Sequence, residues 1–534
     1  MNPITNKKYL WLFWLGLLII AGGASWYLSV CMAFAPWGFS DTAMYFSSAR
    51  NLARGVGLGM VSADGVFTPL QIFAPFYPIV LSLFARFDLI QVSVVLNIVF
   101  FAALIVASGW LFYRISESWL LALCFSLLIA TTPVLARDYT SMMSEPLAIV
   151  LGIPGFLLVL WAIKSDSLWR LILAALLVGL SFMTRYAFVA FPIAGVLAVF
   201  LLSRSKWKKR IVDTFTFGVV SLLPMGVWVL RQLLSHSSVG SRSYTFDVSL
   251  VEKIQKFSSS FFKVIKYWFP YRSNMIPGVS ADVFMPFLLA AFVLIVAGGL
   301  IFSTVLRKTV GRQYNTWLLL FGFVILSAIY SGFLLVTVII SSQLISIDGR
   351  MLSPLSIMIY AILLATSLSL ALKAHPKFSL PIAGLLITLC FVVFNYMNLQ
   401  NYLINVSTYP DGDASPEWKG KPIFTEAKKI TPGAPIISNA PNILLFYTNE
   451  SAYFLSSELK STATSVTLAD MANINELMVD NCGAIILLNP VRANAYEHKK
   501  NPASTNDFEV LSKLFTPIYD KKDGKILMYK DCIK

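Results

Sequence analysis

Asp41 opens a polar stretch, Ser40-Asp41-Thr42-Ala43-Met44-Tyr45 through Arg50-Asn51-Leu52-Ala53-Arg54-Gly55, that follows closely on a long apolar run. A carboxylate held at the edge of such a run can take a proton from a hydroxyl, which is general-base chemistry. The plain alternative is a helix N-cap, where the carboxylate accepts backbone N–H groups and is favoured by the helix dipole. Asp138 and Glu145 flank a short polar turn between two later apolar runs, and Arg185 and Arg350 stand at the ends of two more. Snorkelling to lipid headgroups accounts equally well for a single arginine in such a place, but it offers a carboxylate nothing. Guanidinium groups near a carboxylate base can hold an anion bidentately and stabilise charge that grows on it.

The elements that must position these side chains are mostly membrane spans. The chain is 534 residues long, 57% hydrophobic and 13% charged, with a mean hydropathy of +0.72, far from the composition of a water-soluble domain. It reads as a polytopic α-helical membrane protein of about 11 spans at about 20 residues each. The expected spans are Tyr9 to Val30, Gln91 to Tyr113, Trp119 to Leu135, Pro146 to Ile163, Leu171 to Thr184, Ala187 to Leu202, Ile211 to Leu230, Val283 to Leu306, Trp317 to Ile340, Ser353 to Leu372 and Phe378 to Met397. Ala33-Phe34-Ala35 resembles a signal-peptidase site, but the run before it exceeds the apolar core of a cleaved signal, so the first span is expected to stay.

The net charge of +15 does not point to nucleic acid, because the basic residues form short clusters between apolar runs rather than one continuous face. Lys7 and Lys8, Arg114, Lys164 and Arg170, the group Arg204 to Arg210, Arg307 to Arg312, and Lys373 with Lys377 occupy alternate loops. The positive-inside rule makes that side cytoplasmic. The multi-pass chain then has a cytoplasmic N-terminus in the cell's inner membrane, a first outer loop over 31–90, a long outer loop over 231–282 and an extracytoplasmic C-terminal region. Asp41, Asp64, Arg137, Asp138, Glu145, Arg185, Asp282, Asp348 and Arg350 all fall on the outer face.

Within the first outer loop, Tyr45, Ala49, Leu52 and Val56 recur at helical spacing and predict a helix lying on the membrane surface. Arg50 and Arg54 are expected to face headgroups or solvent, and Asp64 to sit in a turn beside Gly65. Phe257, Phe261, Phe262, Ile265 and Phe269 predict a second interfacial helix, with Lys253, Lys256, Lys263 and Lys266 on a solvated basic face.

After residue 397 the composition becomes that of a soluble domain. Residues 1–397 are expected to form the membrane domain and 398–534 an outer α/β domain of mixed sheet. Its strands are expected at Ala434 to Ser438, Ser451 to Leu455, Gly483 to Leu488 and Lys525 to Tyr529, and its helices at Pro441 to Tyr447, Leu468 to Val479 and Asp507 to Phe515. No phosphate loop or nucleophile elbow is present, which points to substrate shaping or partner contact. The five cysteines show no metal spacing. Cys482 and Cys532 each adjoin an expected strand, so a disulfide between them is geometrically open in an oxidising compartment.

A carboxylate and arginines at an outer membrane surface suit transfer of a sugar from a lipid phosphate. Asp41 would take the acceptor's proton, and Arg185 and Arg350 would stabilise the departing phosphate, which needs no general acid. Several short motifs carry a more specific signal. The Asp41 helix with Ala49-Arg50-Asn51-Leu52, Pro75-Phe76-Tyr77-Pro78, Met143-Ser144-Glu145-Pro146-Leu147, Met183-Thr184-Arg185-Tyr186 and Arg350-Met351-Leu352-Ser353-Pro354 together resemble the GT-C glycosyltransferases. Within these, the resemblance is to the protein O-mannosyltransferases and the lipid A aminoarabinose transferases. It implies inverting transfer from a polyprenyl-phosphate-linked sugar to a lipid, glycan or protein acceptor, with Asp41 as base. Asp138 and Glu145 match the second acidic position, which in some members helps to hold a divalent cation. Thr42 stands where many relatives have Glu, so Asp41, Asp138 and Glu145 leave open both a Mg or Mn site and metal-independent catalysis. Two other classes compete. A transporter or flippase of lipid-linked glycans would favour ionisable residues or broken helices at mid-membrane in repeated halves, and the sequence shows neither. A non-catalytic scaffold would leave the ring of outer charges unexplained.

Overall fold

Long apolar runs bounded by polar caps become long helices here, because a backbone in hydrocarbon must satisfy its own hydrogen bonds. The computed structural model describes residues 7–34, 36–61, 66–71, 73–234, 249–266, 268, 311–341, 347–374, 379–408, 412, 414, 418–430, 434–454, 459–460, 467–468, 478, 481–488 and 515–532. In chain order, α1 (Lys7–Phe34) is followed by α2 (Ser40–Ala53), the hairpin β1 (Gly59–Val61) and β2 (Phe67–Pro69), and α3 (Phe76–Ser82). Then come α4 (Leu89–Ser116), α5 (Trp119–Thr131), α6 (Pro133–Thr140), α7 (Glu145–Ser165), α8 (Leu168–Thr184), α9 (Ala190–Leu202) and α10 (Trp207–Leu234). The membrane part continues with α11 (Leu250–Lys266), α12 (Arg312–Ile340), α13 (Gly349–Ala374) and α14 (Ser379–Thr408).

Seven of these helices are long and apolar enough to cross a bilayer, and α5 with α6, bent by 56° between them, meets the same length and composition only when the pair is counted together. Of the expected spans, Trp119 to Leu135 is this broken pair, Leu171 to Thr184 and Ala187 to Leu202 fall on the shorter helices α8 and α9, and Val283 to Leu306 lies outside the described residues, as do Asp64 and Asp282. The bend has a local cause. Pro133 starts α6, and Thr132 turns its hydroxyl back onto the Leu128 carbonyl, ending α5. Elsewhere small residues bring helices together, as in other membrane bundles. A Cβ on Gly152 of α7 would stand 2.8 Å from the Ser181 hydroxyl of α8, which donates to the Ala148 carbonyl at 2.8 Å.

The basic turns gather at one end of the bundle. Lys164 donates to the Arg114 and Ile115 carbonyls and pairs with Glu117, Lys209 pairs with Asp166, and Arg204 stacks on Tyr314. Helix α7 carries Lys164 at this end and Glu145 at the other, about 30 Å away at 1.5 Å per residue.

The C-terminal part contains α15 (Pro422–Ala427), β3 (Ile436–Ser438), α16 (Pro441–Thr448), β4 (Tyr453–Phe454), β5 (Leu459–Lys460), β6 (Thr467–Leu468), β7 (Ala484–Leu488), β8 (Phe515–Lys521) and β9 (Gly524–Tyr529). Five strands make a mixed sheet in the order β4-β3-β7-β9-β8, with β3 parallel to β4 and β7, and β9 antiparallel to β7 and β8. Two details differ from expectation. Phe515 begins a strand instead of ending a helix, and Leu468 lies in a short strand, while 469–477 and 507–514 lie outside the described residues. Cys482 and Cys532 form a disulfide beside β7 and β9, with Cα atoms 5.6 Å apart.

Two expectations about interfacial helices are corrected. Helix α2 does not lay an apolar face on the membrane: Tyr45, Phe46 and Ala49 pack with Tyr77, Met142, Ala414, Leu445 and Phe446 in one protein core, and Val56 is exposed. The second helix is present as α11 as far as Lys266, Phe269 lying outside the described residues, yet Lys253 is not on a solvated face. It is 1% exposed, and its ammonium donates to the Ile339 and Ser341 carbonyls at 3.0 and 2.7 Å, capping the end of α12. Unsatisfied carbonyls at a helix C-terminus attract a cation there.

Candidate active site

The segment before α2 is tied by its backbone to the turn before α7. Trp37 N donates to the Thr140 carbonyl at 3.0 Å and Met142 N to the Trp37 carbonyl at 2.8 Å, a parallel bridge to Ser141. Buried Asn97 of α4 supports the same turn, donating to the carbonyls of Tyr139 and Ser141 at 3.0 and 2.7 Å. These contacts bring the segment before α2 and the turn before α7 together.

Asp41 lies in the first turn of α2 but does not cap it. Phe39 is the N-cap residue, and the Thr42 hydroxyl accepts from its backbone N–H at 3.0 Å. With capping done by Thr42, the Asp41 carboxylate is left for other work. It is half-buried, and burial pushes it above the usual carboxylate range, as does nearby Glu145, while Arg350 and Arg185 oppose the shift.

Glu145 begins α7, where its charge suits the helix dipole, and is 3% exposed. Its Oε1 pairs with Nη1 of Arg185 at 2.6 Å. Arg185 ends α8 in an extended conformation and also reaches the Ser144 hydroxyl at 3.4 Å. Burial opposes the Arg185 charge, but Glu145, then Tyr45 and Asp41 among its neighbours, hold it firmly protonated. Arg350 starts α13 and is 31% exposed. Its Nε donates to Asp348 at 3.0 Å, and its guanidinium lies over the Phe39 ring at 5.1 Å. Asp138 is fully buried at the end of α6, with Ser353 as its hydroxyl neighbour.

The five predicted residues thus come from five elements and meet at one end of the bundle, opposite the basic turns. Cys482 and Cys532 belong instead to the C-terminal region, flanking β7 and β9. Sequence reading missed the groups that hold the site: Tyr45, whose hydroxyl is 3.1 Å from that of Ser144, and Arg50. Tyr45 was visible only as one member of an apolar face. Arg50 does not face headgroups: its Nη1 donates to the Phe446 carbonyl at 3.1 Å, and burial, then Arg54, pushes its pKa down to about 10. Arg54 is exposed, as expected.

A cation needs several ligands converging. Among the described residues no three His, Cys, Asp or Glu side chains gather in that way, and Glu145 is committed to Arg185. Among the described residues the donors do not gather into a divalent-metal site, and no step below is routed through one. What the site offers is a half-buried carboxylate of raised basicity beside two guanidinium groups on separate helices.

No family model matches the chain, and no curated protein matches its sequence. Solved structures do match its fold. One is ArnT from Cupriavidus metallidurans bound to undecaprenyl phosphate, with a TM-score of 0.53 at 11% identity, covering 98% of each chain. Another is the oligosaccharyltransferase AglB from Archaeoglobus fulgidus in complex with an inhibitory peptide and a dolichol-phosphate, with a TM-score of 0.51 at 12% identity, covering 99% of this chain and 75% of that one. Both are GT-C glycosyltransferases, and the chain has their fold: a multi-pass helical membrane protein with a C-terminal sheet region.

Proposed function

We propose that this chain is a glycosyltransferase that moves a sugar from a polyprenyl-phosphate donor to an acceptor hydroxyl at the extracytoplasmic face of the inner membrane, with inversion. The observation that supports this reading is that Asp41, in the first turn of α2, lies at the end of the bundle that also holds the Glu145–Arg185 ion pair and Arg350, both arginines being close enough to act on its charge. The fold neighbours crystallised with undecaprenyl phosphate and with a dolichol-phosphate support a lipid-linked donor.

In this mechanism the acceptor O–H gives its proton to Asp41 as its oxygen attacks the anomeric carbon. The bond from that carbon to the phosphate oxygen breaks on the opposite face, and the electron pair leaves with the phosphate. Arg185 and Arg350 meet the growing negative charge and stabilise the transition state more than the bound donor. Glu145 holds Arg185 in place through their ion pair. Asp138, which the resemblance also assigns to the second acidic position, is buried within electrostatic reach of Glu145 and Arg350. The acceptor approaches from the outer side and can be lipid, glycan or protein.

The test incubates purified protein with a panel of radiolabelled polyprenyl-phosphate sugars and follows release of the free polyprenyl phosphate. Wild type should turn over at least one donor and Asp41→Asn should not. Near wild-type turnover in Asp41→Asn overturns the assignment of the base.

A further inference from the structure

The outer domain carries no catalytic motif, yet it grips the helix that carries Asp41 at both ends. Before α2, the turn at Gly412 crosses Gly38. A Cβ on Gly412 would lie 2.9 Å from the Gly38 carbonyl oxygen, and its φ of +98° is itself one that side chains resist. Along α2, the Phe46 ring stacks on Phe446 of α16 at 5.2 Å and 23°, and Arg50 donates to the Phe446 carbonyl. At the end of α2, Asn449 donates to the Asn51 amide oxygen at 3.4 Å, while Asn51 donates to the Gly59 carbonyl at 3.0 Å. Phe446 also belongs to the same buried cluster as Ala43, two residues from Asp41.

Helix α16 is in turn fixed to the sheet. Asn439, just before it, exchanges two hydrogen bonds with Leu488 at the end of β7, at 2.8 and 2.9 Å. Tyr447 stacks on Phe424 of α15 at 4.6 Å. A rigid path therefore runs from the outer sheet to the first turn of α2.

We propose that the outer domain is the positioning element for the base: α16, through Phe446 and Asn449, with the Gly412 turn, holds α2 so that Asp41 faces the two arginines. Phe446 is a positioning residue in this scheme. The functional half of the inference rests on the glycosyltransferase reading, but the coupling itself does not.

The experiment therefore has one arm that needs no substrate. Hydrogen exchange is measured by mass spectrometry on the full-length protein in detergent, for wild type, Phe446→Ala, Phe446→Tyr and Asn449→Gly. The last keeps the left-handed backbone of Asn449, whose φ is +68°, and removes only the amide. Phe446→Ala should lose protection over residues 40–53 by about tenfold or more, with α7 and α8 unchanged. Asn449→Gly should show a smaller loss in the same place, and Phe446→Tyr none. Unchanged exchange over 40–53 in both Phe446→Ala and Asn449→Gly overturns the coupling, and Asn449→Gly decides alone if Phe446→Ala does not fold.

A second arm uses the donor found by the panel. Phe446→Ala should lower kcat by about 10- to 100-fold, as misplacement of a base does, with the donor KM little changed. It should also move the acid limb of the pH profile toward the ordinary carboxylate range, as water reaches Asp41. Unchanged kcat and acid limb despite lost protection overturn the positioning role. If instead wild type turns over no donor, the glycosyltransferase reading has failed, and the exchange arm still decides the coupling.

Discussion

At the scale of single residues, the site combines one costly group with two that answer it. Asp41 titrates above its ordinary value of 3.8 because it is buried and close to Glu145. A carboxyl whose folded value is raised stabilises the fold below the unfolded value, and that stability is lost as pH rises through the folded value. At neutral pH the ionised form is therefore a cost, and Asp41→Asn should melt no lower than wild type, and higher if its amide packs. The difference should vanish below about pH 4, where both states are protonated. The same variant should lose transfer by about 100- to 10,000-fold, the usual range for a general base. Differential scanning fluorimetry across pH, beside the transfer assay, checks both; a variant that melts lower at neutral pH contradicts the sign. Arg350 makes a different case. If it meets leaving-group charge, Arg350→Ala should cost about 1.5–3 kcal/mol of transition-state stabilisation and Arg350→Lys only part of it, since Lys keeps the charge but loses the fork. A snorkelling arginine would instead tolerate Lys fully and show Ala only as lowered thermal stability.

At the scale of elements, spacing shows which residues share a face but not what covers that face. The period through Tyr45 and Ala49 was legible, and so was the helix; a membrane was the expected cover. The actual cover is α3, the turn before α7 and α16, and the last lies some 400 residues away in sequence, beyond any local pattern. The same gap explains Lys253. Its spacing placed it on the polar face of α11, while the bare C-terminal carbonyls of α12 that it caps belong to another part of the chain. Lys253→Met should keep the stem and remove the donor, leaving buried carbonyls unsatisfied. It should lower stability by about 1–3 kcal/mol, measured by thermal unfolding in detergent, whereas Lys256→Met on the exposed side should change little. Strand β8 was hidden for a chemical reason: Pro517 interrupts it, and the register shifts between Pro517 and Tyr519. Such a strand is tolerated only at a sheet edge, which is where β8 lies.

At the scale of the whole molecule, the spans and the loop order were legible because hydrocarbon demands runs of apolar residues and leaves charge for the ends. The gathering of Asp41, Glu145, Arg185 and Arg350 was legible only as a shared side; their pairing needed the fold. With the basic turns at one end and the site at the other, Lys208 should be cytoplasmic and Lys522 external. Cysteines placed at these positions, with Cys390 replaced, test this with an impermeant thiol reagent on spheroplasts. Labelling of Lys208→Cys, or protection of Lys522→Cys, reverses the orientation. The Cys482–Cys532 disulfide closes a 50-residue separation and should stabilise the C-terminal sheet region by about 2–4 kcal/mol; Cys482→Ser with Cys532→Ser, followed by limited proteolysis, measures it. The contact between Asn51 and Asn449 has a further consequence, because these residues are made 398 positions apart. Helix α2 is synthesised long before α16 and lacks that cover until residues 441–449 have been made. On the proposed function, activity should therefore appear only once α16 has docked against α2.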